Sequence, residues 1–165
     1  RAAADALPPG AELEIFDGLA EVPPYNEDHD VSPAPEAVAR LRDAIAAADV
    51  VLIATPEYNH SLPGQLKNAL DWVSRPLAES PLRNKPAAVV GASKGMFGAV
   101  WAQAEGRKVL SAIGARVVDR ELPVATAHEA FDEDGRLADE ELHAALAELL
   151  AELVGEAEVT LQAAA

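Results

Sequence analysis

The sequence contains no cysteine. Disulfides, thiolate metal sites and a cysteine nucleophile are therefore excluded, and the composition suits a reducing cytoplasm. Positive charge is scarce too: 13 Lys and Arg face 28 Asp and Glu, giving a formal net charge of −15. A field of that sign repels phosphate backbones and anionic bilayers, so neither nucleic acid nor a membrane is an expected partner. Its plain consequence is solubility. No apolar run approaches the 18 or so residues of a membrane-spanning helix, and no signal peptide is visible. Nucleotide-binding glycine signatures and the G-x-S-x-G serine elbow are missing as well. His29, His60, His128 and His143 lack metal-ligand spacing, so no metal is expected. "HEAFDEDGRL" is acidic but lacks the EF-hand ligand order, and it reads as a solvated turn.

What is present is a chain of 165 residues, half of them hydrophobic, enough for one domain with a sizeable core. It opens "RAAADALPPG", which reads as the tail of a helix followed by a proline-glycine stop. One domain over 1–165, incomplete at its N-terminal side, is the expectation. Alternating Leu13 and Ile15 suggest a strand near 12–17. Val38, Leu41 and Ile45 recur at helical spacing over about 35–48. "DVVLIAT", 49–55, is a β-branched run of the kind buried on both faces of a sheet. A helix over about 64–74, a strand over 86–92 and a helix over about 97–113 follow. An extended segment at 115–124 and a helix over about 139–153 complete the chain. This alternation predicts an α/β fold, a doubly wound parallel sheet with helices on both faces.

In such sheets ligands bind beyond the carboxyl ends of the strands. Two of those ends are unusual. One is Thr55-Pro56-Glu57-Tyr58-Asn59-His60; the other is Gly91-Ala92-Ser93-Lys94-Gly95-Met96-Phe97-Gly98. Pro56 lacks an amide hydrogen and so ends the strand ladder. The amides of the turn and of the helix that follows are then free to meet a polar ring. Tyr58 offers an aromatic face and Asn59 a donor and an acceptor. Glycines in the second loop allow a backbone to approach a ligand closely. On composition alone, each segment also reads as an ordinary turn. Ser61 and Ser93 lack the context of a hydrolase nucleophile, and Trp72 and Trp101 read as core packing.

The stretch "TPEYNHSLPGQLKNALDWVSRP", 55–76, is very similar to the signature of the NADPH-dependent FMN reductases, a flavodoxin-like family that includes quinone, azo-dye and chromate reductases. "PPYNED" at 23–28 and "KPAAVVGASKGMFGA" at 85–99 resemble the family in order and spacing. The resemblance implies a cytoplasmic, flavodoxin-like oxidoreductase with FMN at the strand ends and NAD(P)H as co-substrate. The substrates implied are quinones, azo compounds, flavin or similar small-molecule acceptors. It implies that Pro56, Glu57, Tyr58 and Asn59 line the flavin ring, largely through backbone groups, with Ser93, Lys94 and Gly95 on its other side or edge. Hydride transfer needs no acid or base, so no catalytic residue is assigned; Tyr58 is the candidate nearest the reacting face. The resemblance also implies a homodimer or homotetramer, and a phosphate-holding loop in a segment that precedes Arg1. Two positions depart from the family: Trp101 stands where arginine is frequent, and Lys94 where proline is common. A non-enzymatic flavodoxin-like carrier or interaction module is the alternative. A response-regulator-like domain fits less well, because Asp49 precedes its strand rather than following one.

Overall fold

The β-branched run after Asp49 forms a strand, β1 (Val51–Thr55), in the computed structural model, which describes residues 1–164 and side chains through residue 157. Its neighbour is β2 (Pro86–Ala92), parallel and in register from Val51 against Ala87 to Thr55 against Gly91. On the far side of β2 lie two short pieces, β3 (Arg116–Val117) and β4 (Pro123–Val124), both parallel to it. They are one extended path interrupted between 118 and 122. The resulting order, β1 beside β2 beside β3 and β4, is wholly parallel among the described residues.

Among the described residues five α-helices accompany the sheet: α1 (Ala2–Asp5), α2 (Glu36–Ala47), α3 (Gly64–Val73), α4 (Val100–Ile113) and α5 (Glu140–Ala164). Alternation along β1 and β2 divides them between two faces. Val51, Ile53, Ala87 and Val89 point into a core with Val38 and Leu41 of α2, Leu70 and Trp72 of α3, and Leu110 of α4. Leu52, Ala88 and Val90 point the other way, onto Leu146, Leu149 and Leu153 of α5 and Ala6 beside α1. Each fully buried leucine here is worth roughly 1.5–3 kcal/mol, so α5 is fastened chiefly by its leucine stripe. Small residues let α4 come close: a Cβ on Gly106 would meet Val89 of β2 at 3.2 Å.

Four expectations are modified. Residues 12–17 form no strand, and Ile15 is 70% exposed. An alternating stretch needs an edge to pair with, and it pairs with no described strand. The same circumstance leaves the second edge of β1 bare among the described residues, so Val51–Ile53 are only half-buried rather than enclosed. Helix α4 begins at Val100, not Phe97, because Gly98 and Ala99 adopt left-handed backbone angles (φ +57° and +62°) that a right-handed helix cannot contain. Finally, α5 continues past Leu153, since Gly155 costs a long helix only about 1 kcal/mol.

Candidate functional site

Parallel pairing of β1 with β2 brings the two singled-out segments out of the sheet side by side. The first turns sharply. Thr55 is buried and its hydroxyl donates to the Pro56 carbonyl at 2.8 Å. Tyr58 and Ser61 then exchange both backbone hydrogen bonds, 3.2 and 3.1 Å, across Asn59 and His60, which both have positive φ (55° and 59°). That is the type I′ geometry, and asparagine is among the residues that tolerate it best. The turn lifts Tyr58 outward, 62% exposed.

Two carboxylates fix the turn to α4. Glu57, its side chain only 11% exposed, accepts from the Ala102 amide at 3.0 Å in the first turn of that helix. The unpaired amides and dipole of a helix N-terminus favour an anion there. Its other oxygen lies 3.7 Å from His60 Nδ1. Glu105, one turn further along α4, accepts from the Ser61 hydroxyl and from the Leu62 amide, the latter at 3.1 Å. The Ser61 hydrogen bond, followed by the Leu62 amide, holds the Glu105 carboxyl below its ordinary pKa.

The second segment is pinned at both ends. The Ser93 amide donates to Val124 (3.0 Å), the Ala127 amide to Ser93 (2.9 Å) and the Thr126 amide to Gly95 (3.2 Å). At the far end Gly98 presses on Pro123 so closely that a Cβ would sit 2.5 Å from its carbonyl carbon. Gln103, fully buried in α4, donates from Nε2 to the Gly98 carbonyl at 3.1 Å and accepts from the Leu122 amide at 2.9 Å. Between these fastenings the amides of Lys94, Gly95, Met96, Phe97 and Gly98 donate to no acceptor among the described residues. In the first turn the amides of Glu57, Asn59 and His60 are free in the same sense. The rims meet through aromatic contacts: His60 stands edge-on to Trp101 at 4.3 Å, and Trp101 to Phe97 at 5.0 Å.

The two singled-out segments leave the sheet at the same end. Pro56, Tyr58 and Asn59 lie in the turn after β1 and Ser93, Lys94 and Gly95 in the loop after β2, whereas the Glu57 side chain turns inward to serve α4. Trp72 is core, 1% exposed, but Trp101 is not: at 39% it stands open against His60 and Phe97, and Tyr58 and Met96 (75%) are exposed in the same two segments. Its partners are loop residues rather than the sheet. "PPYNED" does not reach the mouth through its polar groups; it ties onto α3, where Asn68 and Trp72 donate to the Pro23 carbonyl at 2.9 and 2.8 Å. The acidic loop near 132 is a hairpin turn in which Asp132 accepts from the Asp134 and Arg136 amides. No group of three or more potential metal ligands occurs among the described residues. Hollows of about 290 and 520 Å³ lie elsewhere, between α3 and α4 and beside Arg42.

Gln103 and Glu105 were not foreseeable as site residues from their immediate neighbours. The one signal is that Gln103 shares the buried stripe of α4 with Gly106, Leu110 and Ile113, where a polar residue is out of place.

A parallel α/β sheet with an open, donor-rich mouth at its strand ends defines a flavodoxin-like protein. The sequence profile of the NADPH-dependent FMN reductases matches residues 1–129, and the chain belongs to that family. It is 46% identical over 135 residues to an NAD(P)H-dependent FMN reductase of Pseudomonas aeruginosa, covering 81% of this chain and 72% of the relative. It is 38% identical to a quinone reductase of Pseudomonas putida, covering 84% and 75% of the two chains. The solved structure of FerB, a flavoenzyme NAD(P)H:(acceptor) oxidoreductase from Paracoccus denitrificans, superposes with a TM-score of 0.73 at 39% identity, over 85% of this chain and 77% of that one. The chain is thus an oxidoreductase of a family that uses FMN, with NAD(P)H as co-substrate.

The residues present fit that cofactor. A flat ring with carbonyl oxygens and ring nitrogens along one edge asks for hydrogen-bond donors, and the unpaired amides of residues 94–98 are donors of that kind at the strand ends.

Proposed function

We propose that the protein is an FMN-dependent NAD(P)H oxidoreductase that reduces quinones, azo compounds, flavin or similar small aromatic acceptors. The observation that carries this reading is the run of free amides from Lys94 to Gly98 in the loop after β2, beside the Tyr58–Ser61 turn that follows the neighbouring β1. FMN, when bound, would supply the redox chemistry that links nicotinamide oxidation to reduction of the acceptor. The chain's part is to bind, orient and shield. Pro56, Glu57, Tyr58 and Asn59 line the ring through their backbone, and Ser93, Lys94 and Gly95 hold its polar edge. Tyr58, lifted outward, borders the open face on which nicotinamide and acceptor alternate. No side-chain acid or base is required for that transfer, and none is assigned. The reading includes a cytoplasmic setting and a homodimer or homotetramer, for which the exposed Tyr58, Met96, Phe97 and Trp101 offer apolar area.

The test is to load the protein with FMN and follow NAD(P)H oxidation with and without a benzoquinone. Stoichiometric FMN and quinone-dependent turnover are expected. FMN binding without NAD(P)H oxidation would favour a passive electron carrier instead.

A further inference from the structure

We propose that Gln103 is a positioning residue whose buried amide sets the path of the 93–98 loop and so aims the loop's free amides at the cofactor. This rests on the functional reading above. Three observations lead to it.

The first is satisfaction. Gln103 is fully buried, yet both ends of its side-chain amide are used. The Leu122 amide can only donate and the Gly98 carbonyl can only accept, so the orientation of the Gln103 amide is fixed by its partners. The second is location. Gln103 sits where three backbone segments cross. A Cβ on Gly91, at the end of β2, would approach its Cγ and Nε2 to 3.0 Å, and Gly98 and Leu122 are its two hydrogen-bond partners. The third is division of labour. Backbone hydrogen bonds to Val124, Thr126 and Ala127 hold the loop's beginning, at Ser93 and Gly95. Its far end is held by Gln103, and all five free amides lie at or before that point.

A methionine of nearly the same size would fill the space without burying a polar group, so packing alone does not call for glutamine here. What the amide adds is direction. It holds the Gly98 carbonyl inward, and because that carbonyl shares a planar peptide unit with the Ala99 N–H, the whole unit at the loop's end is fixed, and with it the end of the segment that carries the free amides. Removing this hydrogen bond frees the loop's end to rotate, and the free amides of 94–98 lose a fixed position.

The experiment compares wild type, Gln103→Met and Gln103→Glu as full-length chains. For Gln103→Met, far-UV circular dichroism should match wild type. The FMN Kd should rise about tenfold, as for loss of one or two hydrogen bonds, and the visible circular dichroism of bound flavin should change. Gln103→Glu separates direction from packing. As a carboxylate it still accepts from Leu122 but repels the Gly98 carbonyl; once protonated it can donate again. Burial raises a carboxyl pKa, so FMN affinity of this variant should recover towards wild type as pH falls from 8 to 5.5, with no such recovery in wild type. A folded Gln103→Met with unchanged FMN affinity and unchanged flavin dichroism overturns the proposal. If wild type itself fails to bind FMN, the functional reading is what fails. Amide hydrogen exchange at 94–98 then decides the role of Gln103: faster exchange in Gln103→Met supports it, and identical exchange sinks it.

Discussion

The turn after β1 and the loop after β2 leave the sheet as neighbours, but they are fastened by different chemistry. The turn hangs on two carboxylates, Glu57 and Glu105, that reach across to or from α4 near the surface. The loop is locked by close backbone contact at Gly98 and by the neutral, buried amide of Gln103. Fixation by ionised groups is adjustable and answers to pH, whereas fixation by sterics and a neutral amide is indifferent to both pH and salt. One helix, α4, carries or receives all three side-chain fastenings within residues 102–105. Its first turns are therefore the frame on which the mouth is built.

The largest effect should come from the sterically fixed side. Gly98→Ala places a methyl group 2.5 Å from the Pro123 carbonyl carbon at a left-handed φ, so destabilisation of about 2–4 kcal/mol is expected, read from thermal or urea unfolding. A tolerated alanine would show that the loop is less rigidly held than the contact distance states.

Next comes the path of the turn. Deleting Tyr58 removes a partner of the type I′ turn and re-aims the free amides of Glu57, Asn59 and His60, so FMN binding should fall by more than about tenfold. A deletion milder than Asn59→Ala would mean that side chains, not backbone, define this wall.

The third prediction probes the ionic fastening. The Glu105 carboxyl titrates below its unfolded value of about 4.5. A depressed pKa stabilises the fold above the unfolded value, and that stability is lost as pH falls through the folded one. Wild type should melt about 2–4 °C above Glu105→Gln at pH 7, with the gap closing as pH falls below about 4.5. Gln103→Met should show no such closing gap over that range. A gap that persisted into acid would remove the distinction between the two regions.

The smallest effect is expected at Asn59. Its side chain makes no hydrogen bond among the described residues, so Asn59→Ala should cost about 0.5–1 kcal/mol, for the left-handed backbone alone, with FMN affinity changed by less than about tenfold. A larger loss of affinity would place its side chain on the ligand.

How much of this was legible in the sequence depends on how far apart the interacting residues lie. The sheet and the turn were readable because their signals are local: an apolar run, a proline that ends it, a glycine-bearing loop after the next strand. The 12–17 strand was misread because alternation reports a face, not the presence of a neighbour to bond. Nothing beside Glu105 in the sequence marks it, because its partners lie 43 and 44 positions away, at Leu62 and Ser61. Gln103 acquires its role from Leu122, 19 positions on. Trp101 was expected inside because large aromatics on helices usually are, yet its helix begins late, after two left-handed residues, and this leaves it at the rim.

Met96 stands in that rim, and in a chain without cysteine it is the single methionine. All the sulfur in these 165 residues is therefore one exposed thioether in the loop after β2. An oxidant that attacks sulfur has one address, and the resulting sulfoxide turns a flexible apolar side chain into a polar one. Chemical ageing of this protein should thus register first as a mass gain of one oxygen on the peptide carrying Met96, and as a wetter aromatic patch, while both sulfur-free cores stay as they were.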